Sequence, residues 1–387
     1  MDQTPSFDVT LERLREIGGL KWSLHPDKIG AFVAEMDFGT APPVAAAMHQ
    51  AVDDGLLGYL PERLASRMAD AWCGWAGQRH GWTVPAERVR PIADVVAGLE
   101  VAIEHFSAPG APVIIPTPAY MPFLSLPRAL GRAIIEVPMA TSDGRSVYDL
   151  EGLQAAYDAG ASLLVLCNPH NPVGRVLERA ELEAVAEIVD RNGGRVFSDE
   201  IHAPLVYDGR AHVPYASISP VTAAHTVTAV SASKAWNLPG TKCAQLVLSN
   251  EEDVATWEAV GRRFELGASV LGVVATIAAY EQSGPWLEAV LSHLDGSRQL
   301  LSDLLTDQIP EIGYLPPEGT YLAWLDCRAL GLGEHPGEFF ADHAGVALID
   351  GSLCGRVGAG FVRYNFATPR PIIETTVARL AAALTGR

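Results

Sequence analysis

The chain has 387 residues, 48% hydrophobic and 19% charged, a mix that excludes a disordered polymer. At ~150 residues per domain its length predicts two or three domains. Acidic residues outnumber basic ones 46 to 28, and the net charge of −18 argues against a general nucleic-acid or anionic-membrane partner.

The five cysteines (Cys73, Cys167, Cys243, Cys327 and Cys354) are odd in number, widely spaced and form no C-x-x-C pair. Neither a disulfide framework nor a cysteine zinc site is expected, and no H-E-x-x-H motif points to a metal. The N-terminus lacks the charged start and apolar stretch of a signal peptide. The most apolar stretch, Ser269 to Tyr280, falls short of the ~18 residues a membrane span needs. A soluble, cytoplasmic protein is expected. Only Lys21, Lys28, Lys234 and Lys242 are lysines, while 24 positions are arginine. Arginine does not serve as a neutral amine nucleophile, so a retained lysine is a candidate for amine chemistry.

In chain order, the start reads as an irregular arm to about Thr40. Pro42-Pro43 opens a helix over VAAAMHQAVDDGL, with proline in its first turn. A second helix starts at Pro61, its stripe of Leu64, Met68, Trp72 and Trp75 reading as core. From Val89 to Asn250 short apolar runs alternate with helical patterns. The runs are 112–116, 132–138, 162–167, 195–197, 226–230 and 243–249, most of them continuously apolar. Strands covered on both faces have that texture, so an α/β fold is expected, with a mostly parallel sheet between helices. Helical patterns follow at 269–282 and 285–308, then a strand over 321–327, a short helix near 337–344, a strand around 361–367 and a last helix over 371–385. This reads as a smaller C-terminal α+β domain. The expected division is an arm at 1–40 packing with the small domain, a large domain at 41–284 and a small one at 285–387.

In open α/β sheets ligands bind beyond the carboxyl ends of the strands. The runs are followed there by TPAYMPF with Tyr120, NPHNPVGR with Asn171, SDEIH with Asp199 and His202, and SASKAWNLPGTK with Ser231, Ser233, Lys234 and Lys242. Before them, IADVVAGLEVAI carries a strand end into a helix at Ala97, Gly98 and Leu99. Singly these are turn, cap or surface residues. Together they suit one cofactor, pyridoxal phosphate. It needs a lysine, an acid for the pyridinium nitrogen, donors for the ring oxygen and an aromatic for the ring face. Its phosphate suits hydroxyls and a helix N-terminus.

The segments NPHNPVGR, SDEIHAPLVYDG and SASKAWNLPGTK closely resemble the fold type I pyridoxal-phosphate enzymes of the class I/II aminotransferase superfamily. KWSLHPDKIGAFVAEMDF and GFVRYNFATPR are similar to its cystathionine β-lyase (C–S lyase) branch. The resemblance implies that Lys234 holds the cofactor as a Schiff base and carries the proton at Cα. It implies that Asp199 pairs with the ring nitrogen, Asn171 and His202 contact the ring hydroxyl and Tyr120 stacks on the ring. Ala97, Gly98, Leu99, Ser231, Ser233 and Lys242 would surround the phosphate, and Arg363 would grip the substrate carboxylate, with Asn171 and Tyr120 beside it. Tyr59, in LLGYLPE, would reach the phosphate of a neighbouring subunit, which implies a homodimer with shared sites. The implied reaction is α,β-elimination on a cysteine S-conjugate, giving thiol, pyruvate and ammonia. Transamination and a decarboxylating or oxidative deamination stay open as alternatives. A non-catalytic regulator is disfavoured by the intact Lys234, Asp199 and Arg363. If the substrate carries a second carboxylate, Arg63, Arg356 and Arg370 are candidates to meet it.

Overall fold

The computed structural model describes residues 5–207 and 209–385. The arm departs from the irregular segment expected of it. It holds two short helices, α1 (Leu11–Ile17) and α2 (Leu20–Ser23), and a strand β1 (Ile29–Gly30). Thr10 caps α1 by accepting from the Arg13 amide at 3.2 Å, and Gly18 ends it with a φ of 70°. Such short helices carry too little apolar periodicity to be seen in the sequence; they form because Leu14 and Trp22 are buried against the body.

The helices α3 (Pro42–Asp53) and α4 (Glu62–His80) follow, with the Leu64, Met68 and Trp72 stripe buried as expected. Then come β2 (Val89–Ile92), α5 (Val95–His105), β3 (Val113–Thr117), α6 (Met121–Ala129) and β4 (Ile134–Pro138). A hairpin, β5 (Ala140–Ser142) and β6 (Arg145–Val147), leads to α7 (Leu150–Asp158), β7 (Leu163–Cys167), α8 (Arg179–Arg191) and β8 (Arg195–Asp199). The short α9 (Pro220–Ala224) precedes β9 (Thr226–Val230) and β10 (Ala244–Leu248).

Seven of these strands form one sheet in the order β2-β10-β9-β8-β7-β3-β4. The pairs from β9 to β4 are parallel, and β10 runs antiparallel to both its neighbours. Every residue of β3, β7, β9 and β10 is buried, which is why these strands read as unbroken apolar runs. One apolar cluster joins α5 and α6 to the sheet, and another joins α7 and α8 to it.

Past β10 the chain forms α10 (Glu251–Val260), α11 (Arg262–Glu265), α12 (Val270–Gln282) and α13 (Gly284–Gln308). Gly272 lets α12 approach the loop before β10: a Cβ there would come within 2.3 Å of the Thr241 carbonyl. A four-stranded antiparallel sheet follows, built from β11 (Gly313–Tyr314), β12 (Leu322–Asp326), β14 (Ile349–Asp350) and β15 (Phe361–Asn365) in the order β11-β12-β15-β14. Helix α14 (Pro336–His343) and strand β13 (Val346–Ala347) precede β14, and α15 (Arg370–Thr385) packs on α13. Strand β1 pairs in parallel with β13, so the arm is hydrogen-bonded to this C-terminal part. Among the described residues no helix is long and apolar enough to cross a membrane.

The arm is pinned by a buried ion pair. Lys21 Nζ donates to Asp37 Oδ2 at 2.8 Å, and Trp22 Nε1 donates to Asp37 Oδ1 at 2.8 Å. Lys21 is 0% exposed. Removing one partner strands a buried charge, a change that typically costs 3–5 kcal/mol. Lys21→Met is therefore expected to lower stability by about 3–5 kcal/mol in urea or guanidinium unfolding. An unchanged midpoint would show that Asp37 is not confined by this pair.

Candidate active site

The carboxyl ends of β3, β7, β8 and β9 open on one rim, and the loops beyond them carry the candidate residues. Asp199 is the last residue of β8 and is 4% exposed. Its Oδ1 accepts from the Ile201 amide at 3.0 Å. Burial pushes this carboxyl up to about 7, against the pull of that amide and of Lys234.

Lys234 lies in the loop after β9, and its Nζ donates to the Ala34 carbonyl at 2.7 Å. Burial first, then the nearby Arg363 charge, draws the amine down to about 8. Asn237, three residues on, adopts a φ of 57°. It ties this loop to the arm by accepting from the Met36 amide at 2.8 Å and donating to the Met36 and Gly39 carbonyls. Asn and Asp are the side chains that best tolerate this left-handed backbone.

Arg363, on β15, is buried opposite. It donates through Nη1 to Asn171 Oδ1 at 3.1 Å and through Nη2 to the Phe32 carbonyl at 2.8 Å. His202 is buried too, and burial, then the charges of Lys234 and Arg363, hold its imidazole well below its usual range and so neutral. Its ring packs edge-on to Tyr321, with centroids 6.0 Å apart. Tyr120 precedes α6, packs edge-on to Phe123 at 5.4 Å, and feels the charges of Arg363, Asp199 and Asp94.

At the far end, Asp94 caps α5 by accepting from the Ala97 amide at 2.9 Å. Lys242 donates to its other oxygen at 2.8 Å. Against the opposing effect of burial, Lys242 and the Ala97 amide hold Asp94 below its usual range. Ser231 Oγ donates to the Cys243 carbonyl at 2.8 Å and accepts from the Ser233 amide at 3.0 Å. Gly98 packs tightly on the sheet, where a Cβ would lie 3.1 Å from Ile92 Cδ1. The Leu99 side chain is in the apolar core, so residues 97–99 can serve a ligand through their backbone only. Tyr59, in the loop between α3 and α4, is 93% exposed on this chain.

This set fits pyridoxal phosphate. Asp199 is a buried carboxylate with an oxygen left for a pyridinium N–H. His202 Nδ1 and Arg363 Nε are buried without a hydrogen-bond partner among the described residues. Such atoms are costly unless a ligand satisfies them. The start of α5, with Lys242 beside it, suits a phosphate.

Two parts of the site escaped the sequence reading. One is Asp94, although an acidic residue directly before an apolar helix is a cap signal. The other is the arm: the carbonyls of Phe32 and Ala34 accept from Arg363 and Lys234, and backbone atoms leave no mark on residue type. The depressed amine gives a direct expectation. Competitive labelling of the cofactor-free chain with an acylating reagent is expected to show a midpoint for Lys234 near 8. A midpoint near the ordinary lysine value of about 10.4 would contradict the burial argument.

The aminotransferase class I and II family model matches residues 26–380. A cystathionine β-lyase of Corynebacterium glutamicum is 37% identical over 380 residues, covering 97% of this chain and 99% of that protein. Cystalysin from Treponema denticola, whose crystal structure contains pyridoxal 5′-phosphate, superposes with a TM-score of 0.92 at 29% identity, covering 100% of both chains. The pyridoxal-phosphate-bound C–S lyase of Staphylococcus hominis gives a TM-score of 0.91 at 29% identity, covering 98% of this chain and 99% of that one. With this fold and this rim of residues, the chain belongs to the aminotransferase class I and II family.

Proposed function

We propose that the protein is a pyridoxal-phosphate-dependent C–S lyase, which converts an L-cysteine S-conjugate and water into a thiol, pyruvate and ammonia. The observation that carries the reading is Lys234: a buried amine pulled down to about 8, beside Arg363 and within the field of Asp199. Full-length similarity to a cystathionine β-lyase and the close superposition on a C–S lyase support the choice of reaction.

When bound, pyridoxal phosphate supplies an electron sink that lets the amino acid lose its Cα proton. The chain does the rest. Arg363 binds the substrate carboxylate through its planar guanidinium, and Asn171 Oδ1 fixes the orientation of that guanidinium. The Lys234 amine, part neutral near pH 8, takes the Cα proton. Asp199, buried, holds a proton-bearing ring nitrogen by charge and hydrogen bond. His202, kept neutral, offers a hydrogen bond to the ring hydroxyl without adding a third cation to the chamber. The C–S bond at Cβ then breaks, the sulfur leaves as thiolate, and hydrolysis of the three-carbon fragment gives pyruvate and ammonia.

The remaining expectations belong to the same reading. Ser231, Ser233, Lys242 and the start of α5 hold the phosphate. The arm of residues 1–40 works with a small domain at 285–387 against a large domain at 41–284. The enzyme acts as a cytoplasmic homodimer: the exposed Tyr59 is placed to reach a second subunit, and the cysteines are free thiols, as in reducing compartments.

With a cysteine conjugate and no keto acid, turnover is expected to continue for many cycles with equal amounts of thiol, pyruvate and ammonia. Activity that stops after one cycle unless a keto acid is added would replace the lyase with an aminotransferase. Arg363→Lys is expected to lower kcat/KM by about a hundredfold, because a point charge cannot reproduce the bidentate contact. A loss of less than about threefold would remove Arg363 from carboxylate binding.

A further inference from the structure

One oxygen in the chamber serves two donors. The Ala34 carbonyl accepts from Lys234 Nζ at 2.7 Å and from the Tyr321 hydroxyl at 2.9 Å. A carbonyl oxygen has two lone pairs, and these two donors use both. The chemistry above gives Tyr321 no part, yet it is 0% exposed and its ring lies edge-on to His202. Burial first, then the Glu35 charge, raise its phenol well above the ordinary range against the pull of Arg363, so it stays an uncharged donor.

The backbone around Tyr321 holds that contact in place. Thr320 has a φ of 68°, a conformation that a β-branched residue rarely adopts. Three hydrogen bonds keep it there. Its amide donates to the Leu205 carbonyl at 2.9 Å, its carbonyl accepts from the Tyr207 hydroxyl at 2.6 Å, and its Oγ1 accepts from the Leu322 amide at 3.1 Å. Gly319 packs on the same loop, where a Cβ would come within 2.8 Å of the Leu205 carbonyl. The Phe366 amide, one residue past β15, donates to the Tyr321 carbonyl at 3.1 Å. Strain of this kind persists only where the surroundings over-determine it, and it clusters at functional sites.

We propose that Tyr321 is a positioning residue for Lys234: its hydroxyl fixes the Ala34 oxygen and takes one of that oxygen's two acceptor directions, so the oxygen holds the Lys234 ammonium less tightly. The inference rests on Lys234 as the proton carrier of the lyase reading. In the Cα step the C–H bond breaks, its electron pair passes to the cofactor, and the proton becomes an N–H of Lys234 that the Ala34 oxygen accepts. An oxygen serving the ammonium alone would keep the amine protonated at the pH where it must act as a base. A second donor on that oxygen weakens the contact, because the two hydrogens carry like partial charges. Besides burial, Arg363 lowers the proton affinity of the amine, Glu35 and Asp199 raise it, and His202 stands by uncharged. The substitutions below leave those four groups in place.

The test reads Lys234 in the cofactor-free chain by its acylation midpoint. Three proteins are compared: unsubstituted, Tyr321→Phe, and a chain with 3-fluorotyrosine in place of Tyr321. Phenylalanine removes the competing donor, and the midpoint is expected to rise from about 8 by about half a unit, roughly a threefold gain in proton affinity. Fluorine makes the phenol a stronger donor, and the midpoint is expected to fall below that of the unsubstituted chain. A role confined to packing would move both variants in one direction. Equal midpoints in the three proteins, or two shifts of the same sign, overturn the proposal. Should Tyr321→Phe fail to fold, the fluorinated chain decides alone, and a midpoint that does not fall overturns it. Loss of Cα deuterium from L-alanine on the loaded, unsubstituted enzyme is scored separately. Its absence would overturn the lyase reading and leave the midpoints to judge Tyr321.

Discussion

Two cations, Lys234 and Arg363, share one buried chamber, and the rest of the site is arranged around that constraint. Burial disfavours the charged form of each, and the Arg363 charge lowers the proton affinity of Lys234 further. The amine yields, since a guanidinium does not deprotonate in proteins. The arm completes the arrangement with backbone oxygen. Arg363 donates to the Phe32 carbonyl, Lys234 and Tyr321 donate to Ala34, and Asn365 donates to Val33 and Glu35. Four successive carbonyls of an N-terminal segment are thus held by groups from β15, from Tyr321 just before β12 and from the loop after β9. The arm can present them because the Lys21–Asp37 pair and Asn237 fix its course on either side.

That arrangement also explains how much was legible in the sequence. The strands were legible because a parallel sheet covered on both faces demands unbroken apolar runs, and 163–167 and 226–230 show them plainly. The candidates Tyr120, Asn171, His202, Ser231 and Lys234 could be placed near one rim because each lies in the loop after a strand, and Asp199 ends one. The reversed direction of β10 was not, since an apolar run looks the same in either direction. The helices of the arm were too short to show a period. Lysine scarcity was a mixed signal. Lys234 and Lys242 lie on the rim, whereas Lys21 is a structural ion pair and Lys28 donates to the Ala341 carbonyl.

A buried carboxylate, a neutral imidazole and a depressed amine meeting in one chamber satisfy one another only partly. Among the described residues His202 keeps Nδ1 and Arg363 keeps Nε, and of the Asp199 oxygens Oδ1 accepts from the Ile201 amide. Each such buried atom carries a desolvation cost that a ligand can relieve. On the proposed reading a cationic ring, its hydroxyl and a substrate carboxylate would complete the arrangement. Fold stability and cofactor affinity are linked at this point.

The central claim is that Lys234 is the amine that joins the cofactor. Peptide mapping by mass spectrometry after borohydride reduction of the loaded enzyme tests it most directly. The account predicts one reduced pyridoxyl group per chain, on the peptide containing Lys234. A label on the peptide containing Lys242, or no label at all, would contradict it.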